Sequence, residues 1–512
     1  MAIEVFGPAW AMEGLGVRAG RYPLSVEGPV MRAVDHLVPG MSTVTRYIRY
    51  HSLYAAIAAN SLMQGLDVSA CRRLVRRCEV LMAALQCTED MADDAWSAHG
   101  VDRVRGFCGD DVVQLARAAD EEGLSGSYSP RRWGFWDQYG GPATVLGTVA
   151  VRDGVLVPGR HPFPDELQRS FAPLLALAEP DEVPLGGLDA ARAVALGITI
   201  PAEQEWLMSA LTATREGRHD PGVWEPTDLT RRATLRVLGR AIDLHGWEGD
   251  GYQETLCSAV VFGGGMSGDP VLAEIPEALG WRGLLLRNYS VGAWRKLWAA
   301  LVGQVGSKDG EADRTAAELR AWLADQAPRA TLRGTIDELL PLWDGDGDPL
   351  PVERDLLEAG GDPMTMVRLL LVGALRSRPG GLSDDVRAVY LGRRRHGGEF
   401  LDPTWVDGLV TDYLDRPTSD LAERLVDDML AQAQRVALAK VRTDLGTGHL
   451  RIFSRLHVRN ERYFKTGDEG ATDIGTRVYE LGFFGEQLGL FTVQDDCYVT
   501  TPAGRAILDL AL

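Results

Sequence analysis

The chain has 512 residues, too many for one ordinary domain, and its 45% apolar and 24% charged content is that of a globular protein with several cores. Fifty-three basic residues stand against 72 acidic ones, so a net charge of −19 repels nucleic acid and anionic membranes, and any such contact has to be local. Cys71, Cys78, Cys87, Cys108, Cys257 and Cys497 lack C-x-x-C spacing, which argues against a zinc site or disulfide framework and for reduced thiols in a cytoplasm. MAIEVFGPAW has no basic n-region, and the apolar, uncharged run from Thr255 to Gly268 is shorter than the ~20 residues a bilayer requires, so no signal peptide or membrane contact is expected.

Residues 1–34 read as a Gly- and Pro-punctuated arm with a short helix from Pro29 to Leu37. Pro39-Gly40 break that helix, and Ser42 or Thr43 is placed to cap a second one running to Met63. Val44, Tyr47, Ile48, His51, Tyr54, Ala55, Ala58 and Leu62 recur at helical spacing, and a second apolar stripe beside them makes the helix an interior one. Arg46 and Arg49 on such a helix need counter-groups; an internal carboxylate or a bound phosphate would serve. A further helix, Val68 to Met91, carries Arg72, Arg73, Arg76 and Arg77 as a basic face opposite Leu74, Val75, Cys78 and Leu81.

A helix is expected around Asp111–Glu122. Arg131, Arg132, Trp133, Phe135, Trp136 and Tyr139 then mix charge with rings, a composition suited to a core aromatic cluster or to base stacking. Val145–Val151 and Val155–Val157 flank Arg152-Asp153-Gly154, a hairpin signal. Helical spacing dominates Leu185–Leu301, with Ser290 placed to cap a helix whose face is Trp294, Leu297, Trp298 and Leu301. Gly263–Pro270 has the glycines of a nucleotide loop without its Lys-Ser/Thr ending. Asp344-Gly-Asp-Gly-Asp348 imitates a calcium loop, but Pro349 takes the place of its Gly and Asp355 that of its Glu, so a boundary loop is expected and no metal site. Helices resume from Pro363, the last of them long and amphipathic over Thr418–Thr443.

The final stretch opens on a second basic island, Arg451–Gly467. A helix starting at Thr472 or Asp473, a hairpin around Gln494-Asp495-Asp496, and a last helix capped by Thr501-Pro502 follow. This order, in the form LGLF…YVTTPAGRAIL, resembles the winged-helix module of bacterial DNA-binding proteins, and Leu146–Arg160 echoes it. The resemblance implies phosphate contacts from Arg451, Arg455, Arg459, Arg462, Lys465 and Arg477, although Glu480, Gly482, Gly485 and Glu486 suit a DNA groove poorly and such modules also serve as protein adaptors. LVPGMSTVTRYIRYHSLYAAIA is similar to the opening of an uncharacterised bacterial family found beside phage-defence genes, which implies a component of a defence assembly.

Arg46 and His51 also fit the R-x4-H spacing of HEPN-type ribonucleases, in which an Arg and a His work on a scissile phosphate without a metal. Five residues turn the pair about 140° around a helix, and other Arg-to-His spacings in the chain match as well. The expectation is therefore a mainly α, multi-domain protein with small winged-helix-like hairpin units. Its parts are a helical domain 1–120, a hairpin unit 121–180, a helical domain 181–310, an irregular linker 311–362, a helical domain 363–445 and a winged-helix-like domain 446–512. The functional expectation is a non-catalytic DNA- or partner-binding subunit of a bacterial assembly, with no cofactor, no metal and no membrane; its partners are other protein subunits or double-stranded DNA. The alternative is the ribonuclease.

Overall fold

The computed structural model describes residues 22–87, 97–109, 111–120, 126–128, 134–246, 251–262, 266, 268–306, 313–392, 400–443 and 450–510. Over these the protein is mainly helical, with short antiparallel sheets of two or three strands. The sequence-based expectations at Arg131, Arg132 and Trp133, and most of Gly263–Gly268, lie outside the described residues.

Helix α1 (Gly28–Leu37) ends at Pro39-Gly40 as expected. The next helix, α2 (Arg49–Gln64), begins six or seven residues later than Ser42 or Thr43. Those residues are spent in a turn, where the Thr45 hydroxyl and amide both donate to the Ser42 carbonyl, and the Ile48 amide donates to Gln487 Oε1 in place of a local cap. The interior character of α2 holds from Arg49 to Ser61, but Val44 and Leu62 are exposed, which corrects their assignment to the core face. Helix α3 (Val68–Leu85) starts under an Asp67 cap on the Ala70 amide.

Among the described residues of Asp111–Glu122 there is no long helix. Val112–Val113 instead joins a small sheet with Cys108–Gly109 and Val183–Pro184, followed by one helical turn, Leu115–Ala118. Helix α4 (Gly140–Leu146) takes Val145 out of the expected strand. The hairpin of β1 (Val149–Arg152) and β2 (Val155–Pro158) then closes where the sequence placed it, with Arg152 paired to Val155. Helices α5 (Asp165–Leu177), α6 (Pro201–Thr212) and α7 (Pro226–His245) follow, the last two started by Pro at N1.

Helix α8 (Pro276–Gly303) runs unbroken through Ser290, so Ser290 is a helix-interior residue and Pro276 marks the start. Its tryptophans Trp281, Trp294 and Trp298 are all buried, the last two on the expected stripe. The segment expected as an irregular linker contains helices at Ala316–Ala324, with a Thr315/Glu318 capping box, at Leu332–Asp337 and at Val352–Ala359. Asp344 closes its loop by accepting from the amides of Asp346 and Asp348, and Asp348 pairs with Arg282. Helices α9 (Pro363–Ser377), α10 (Asp384–Leu391) and α11 (Thr418–Ala439), with a further helix at Pro403–Tyr413 before the last, complete this stretch among the described residues.

Strands β3 (Leu456–Arg459) and β4 (Arg462–Lys465) form a hairpin inside the second basic island, extended by Arg314–Thr315. Helix α12 (Val478–Gln487) starts five or six residues after Thr472 or Asp473, behind Arg477 in a left-handed conformation. The hairpin of β5 (Phe491–Gln494) and β6 (Cys497–Thr500) and the Thr501-capped α13 (Pro502–Ile507) match expectation.

Two compact units result, one made of the stretch up to Val34 with Cys257–Thr476, the other of Asp35–Leu256 with Arg477–Leu512. The division falls between Thr476 and Arg477, inside the stretch read as one C-terminal module. The first unit packs α8 against α9 and α10 and α11 against Ala316–Ala324. At its centre the fully buried Arg376 holds both oxygens of Glu353, at 2.5 and 2.7 Å, and the carbonyls of Leu342 and Leu350. In the second unit, α2 is covered by the β1–β2 hairpin and α5, and α7 supports β6 and α12.

One local pattern occurs twice in the second unit. Helices α4 and α12 are each followed by a glycine of positive φ, Gly147 and Gly489, which lets the next amide, Thr148 or Leu490, reach back to the carbonyl five residues earlier. Each then enters a hairpin whose two turn residues, Asp153-Gly154 or Asp495-Asp496, are left-handed, the geometry that matches strand twist. Beyond the hairpins, Arg160 pairs with Asp228 and Arg505 with Asp243, near opposite ends of α7.

Candidate functional site

Arg49 and His51 are interior residues, and their surroundings decide what they can do. Arg49 Nε donates to both oxygens of Glu203, at 3.2 and 2.9 Å, while its Nη1 and Nη2 donate to the carbonyls of Ala195 and Ile198. With its donors directed at protein acceptors, this guanidinium is matched internally and presents no phosphate cradle. Arg46 is exposed, lying over the Tyr47 ring at 5.4 Å. His51 is fully buried in edge contact with Tyr139 and Phe484, both its ring nitrogens lack a hydrogen-bond partner among the described residues, and burial together with the Arg231 charge pushes it down to about 3. One member of the ribonuclease pair therefore faces solvent and the other is sealed as a neutral ring, so the two share no access to a phosphodiester.

The α3 arginines are not one solvated face. Arg73 is exposed and Arg72 lies over Trp136, but Arg76 and Arg77 are buried. Arg76 donates to the carbonyls of Ala119 and Asp120, both at 2.7 Å, and stacks over Tyr128. Arg77 Nη1 gathers the carbonyls of Ala178, Glu179 and Pro180 just beyond the end of α5, and its Nη2 pairs with Asp181 at 2.5 Å. Beside them the buried Glu79 carboxylate accepts from Tyr54, Tyr128 and the Phe135 amide; burial raises its pKa against those hydrogen bonds. Phe135 and Tyr139 belong to this interior, in keeping with a core aromatic cluster.

Among the C-terminal candidates, four basic groups have carboxylate partners. Arg455 holds Glu469 at 2.7 Å, Lys465 holds Asp468 at 2.7 Å, Arg477 holds Asp35 at 2.8 Å, and Arg462 approaches Glu318 at 3.5 Å while donating to the Asp313 carbonyl. Arg459 is exposed with its guanidinium over Phe464. The Arg451 side chain lies outside the described residues. Arg455 also borders a cavity of about 230 Å³ in the first unit with Glu27, Arg295 and Glu469. Burial raises both carboxyls there, and Glu27 Oε2 has no partner among the described residues. This group is a small polar recess that the sequence did not announce, because Glu27, Arg295 and the Arg455–Glu469 pair come from three distant stretches of the chain.

A second feature missed in the sequence is a groove of about 490 Å³ where the end of α2, the first turns of α3 and one face of α5 meet. Its lining mixes apolar residues, among them Leu66, Leu74 and Leu175, with the polar Asn60, Gln64, Gln168 and Glu179, and includes the exposed Met63, Arg73 and Arg169. Met63 is 72% exposed and the neighbouring Leu62 63%. Neither Arg73 nor Arg169 pairs with a carboxylate among the described residues. The signal was present as an α2 periodicity that runs past the point where its covering ends.

No group of side chains able to hold a metal occurs among the described residues, and no helix among them is long and apolar enough to cross a membrane. No protein-family model matches the sequence, and comparisons with curated proteins and with solved structures find no match.

Proposed function

We propose that the chain is a non-catalytic binding subunit of a larger bacterial assembly in the cytoplasm, and that its working contact is with another protein through the α2–α3–α5 groove. The single observation that carries this reading is the groove: apolar side chains such as Leu66, Leu74 and Leu175 between helices, the exposed Met63 in its lining, and two arginines, Arg73 and Arg169, that pair with no carboxylate among the described residues. Such a trough suits the apolar face of an amphipathic helix, and the arginines favour one with acidic flanks. The likeness of LVPGMSTVTRYIRYHSLYAAIA to a family found beside phage-defence genes supplies the setting, an antiviral assembly.

The DNA reading keeps one supporting observation, the exposed Arg459 at the β3–β4 turn with Arg462 beside it. Against it, the remaining described basic candidates already face carboxylates, which cancels much of the local field that phosphate binding requires.

Affinity purification of the tagged chain from its native cells tests the proposal. A stoichiometric partner should accompany the wild type and the R459E/R462E variant and be lost from the R73E/R169E variant. Retention by R73E/R169E would refute the groove as the contact.

A further inference from the structure

The small polar recess of the first unit carries more charge than packing requires. Three stretches of chain build its wall. The segment from Tyr22 to Glu27 is pinned from α11 and its end: the Gln432 side-chain amide donates to the Leu24 carbonyl at 2.8 Å, and Lys440 donates to the Tyr22 carbonyl at 3.1 Å. Helix α8 contributes Arg295 and Trp298, and the segments flanking the β3–β4 hairpin contribute the Arg455–Glu469 pair at 2.7 Å. With its backbone held this way, the recess is formed ahead of any ligand.

Two groups in it have bonding capacity to spare. Glu27 is 2% exposed; its Oε1 accepts from Arg295 Nη1 at 3.3 Å, long for a charged pair, and its Oε2 accepts from nothing among the described residues. Arg295 directs Nε to the Thr472 carbonyl at 2.8 Å and Nη1 to Glu27, which leaves Nη2 without an acceptor among the described residues. A buried carboxylate oxygen without a donor is costly, and burial raises the Glu27 pKa accordingly, so a cation placed there would be favoured.

The charges also restrict what fits. Two carboxylates and two guanidiniums in the lining cancel formally, which suits neither a polyanion nor a dication but a molecule that is itself neutral and carries both signs. The spare acceptor and the spare donor belong to side chains in contact with each other, as the ammonium and carboxylate of an α-amino acid sit on one carbon. A volume of about 230 Å³ falls below the roughly 300–1,000 Å³ of drug-sized sites and has room for a molecule of that kind.

We propose that this recess binds a free α-amino acid as its zwitterion, the ammonium donating to Glu27 Oε2, the carboxylate accepting from Arg295 Nη2, and the side chain resting against Trp298. The recess belongs to the first unit and the α2–α3–α5 groove to the second, so a result against one leaves the other intact.

The test is to titrate the full-length chain with each of the twenty standard amino acids, up to about 10 mM, following melting temperature and heat of binding. Saturable one-to-one binding of one or a few of them, with a raised melting temperature, is the expected result. For such an amino acid, N-acetylation and conversion of the carboxylate to the amide should each weaken binding at least about ten-fold, because each strands one of the two side chains. Glu27→Gln should weaken the free amino acid by a similar factor and leave the affinity of the N-acetyl form unchanged. Absence of saturable binding by all twenty, or either modified form binding as tightly as the free amino acid, would overturn the proposal; both readings use the wild-type chain and decide even if the Glu27 variant fails to fold.

Discussion

Two arginine-rich stretches look alike on the page, and the fold uses them differently. In the α3 stretch, Arg76 and Arg77 are buried and gather main-chain carbonyls, so their charge fastens separate segments to one helix. Along 451–477, Lys465 and Arg477 are partly exposed and face the exposed carboxylates of Asp468 and Asp35. The contrast teaches that a local excess of positive charge has no function of its own: burial decides whether it becomes a structural clamp or a neutralised surface pair.

The sharpest test of the clamp side is to orphan a buried guanidinium. Glu203→Ala leaves Arg49 without its carboxylate and should cost about 3–5 kcal/mol, read as a lower urea midpoint; Arg76→Ala, which strands two carbonyls, should cost about 3 kcal/mol. A loss below about 1 kcal/mol in both would make the buried arginines of α2 and α3 no different from surface pairs. Next in size is a pH effect. His51 folds with its pKa below the unfolded value, so its contribution is present at neutral pH and is lost as pH falls from about 6.5 toward 3. Between pH 7 and 5 the wild type should lose about 2 kcal/mol more than a His51→Leu variant, measured by chemical denaturation at each pH. The smallest effect belongs to the other region: Lys465→Ala should cost under about 1 kcal/mol, and the difference should vanish at about 1 M salt.

Local signals in the sequence were accurate where one or two residues determine geometry. Asp153-Gly154 and Asp495-Asp496 closed hairpins, Gly489 stopped a helix, Thr501 capped one, and the α8 tryptophan stripe was buried. Helix starts at Arg49 and Val478 were less legible because distant contacts decide them; Gln487 takes the Ile48 amide from 439 residues away. The β3–β4 hairpin escaped notice because its turn is Asn460-Glu461, and a glutamate at positive φ is an uncommon choice that tertiary context must support. The partners of Arg49 and the groove both depend on segments joined only by the fold, so spacing along the chain could name the residues but not what they meet.

The claim that the contact surface is protein-directed is tested most directly by titrating a fluorescent DNA duplex with the full-length chain at about 50 mM salt and following anisotropy. The account predicts no saturable rise and no difference between the wild type and R455E/R459E/R462E. Tight binding that falls steeply with added salt and disappears in that variant would contradict it.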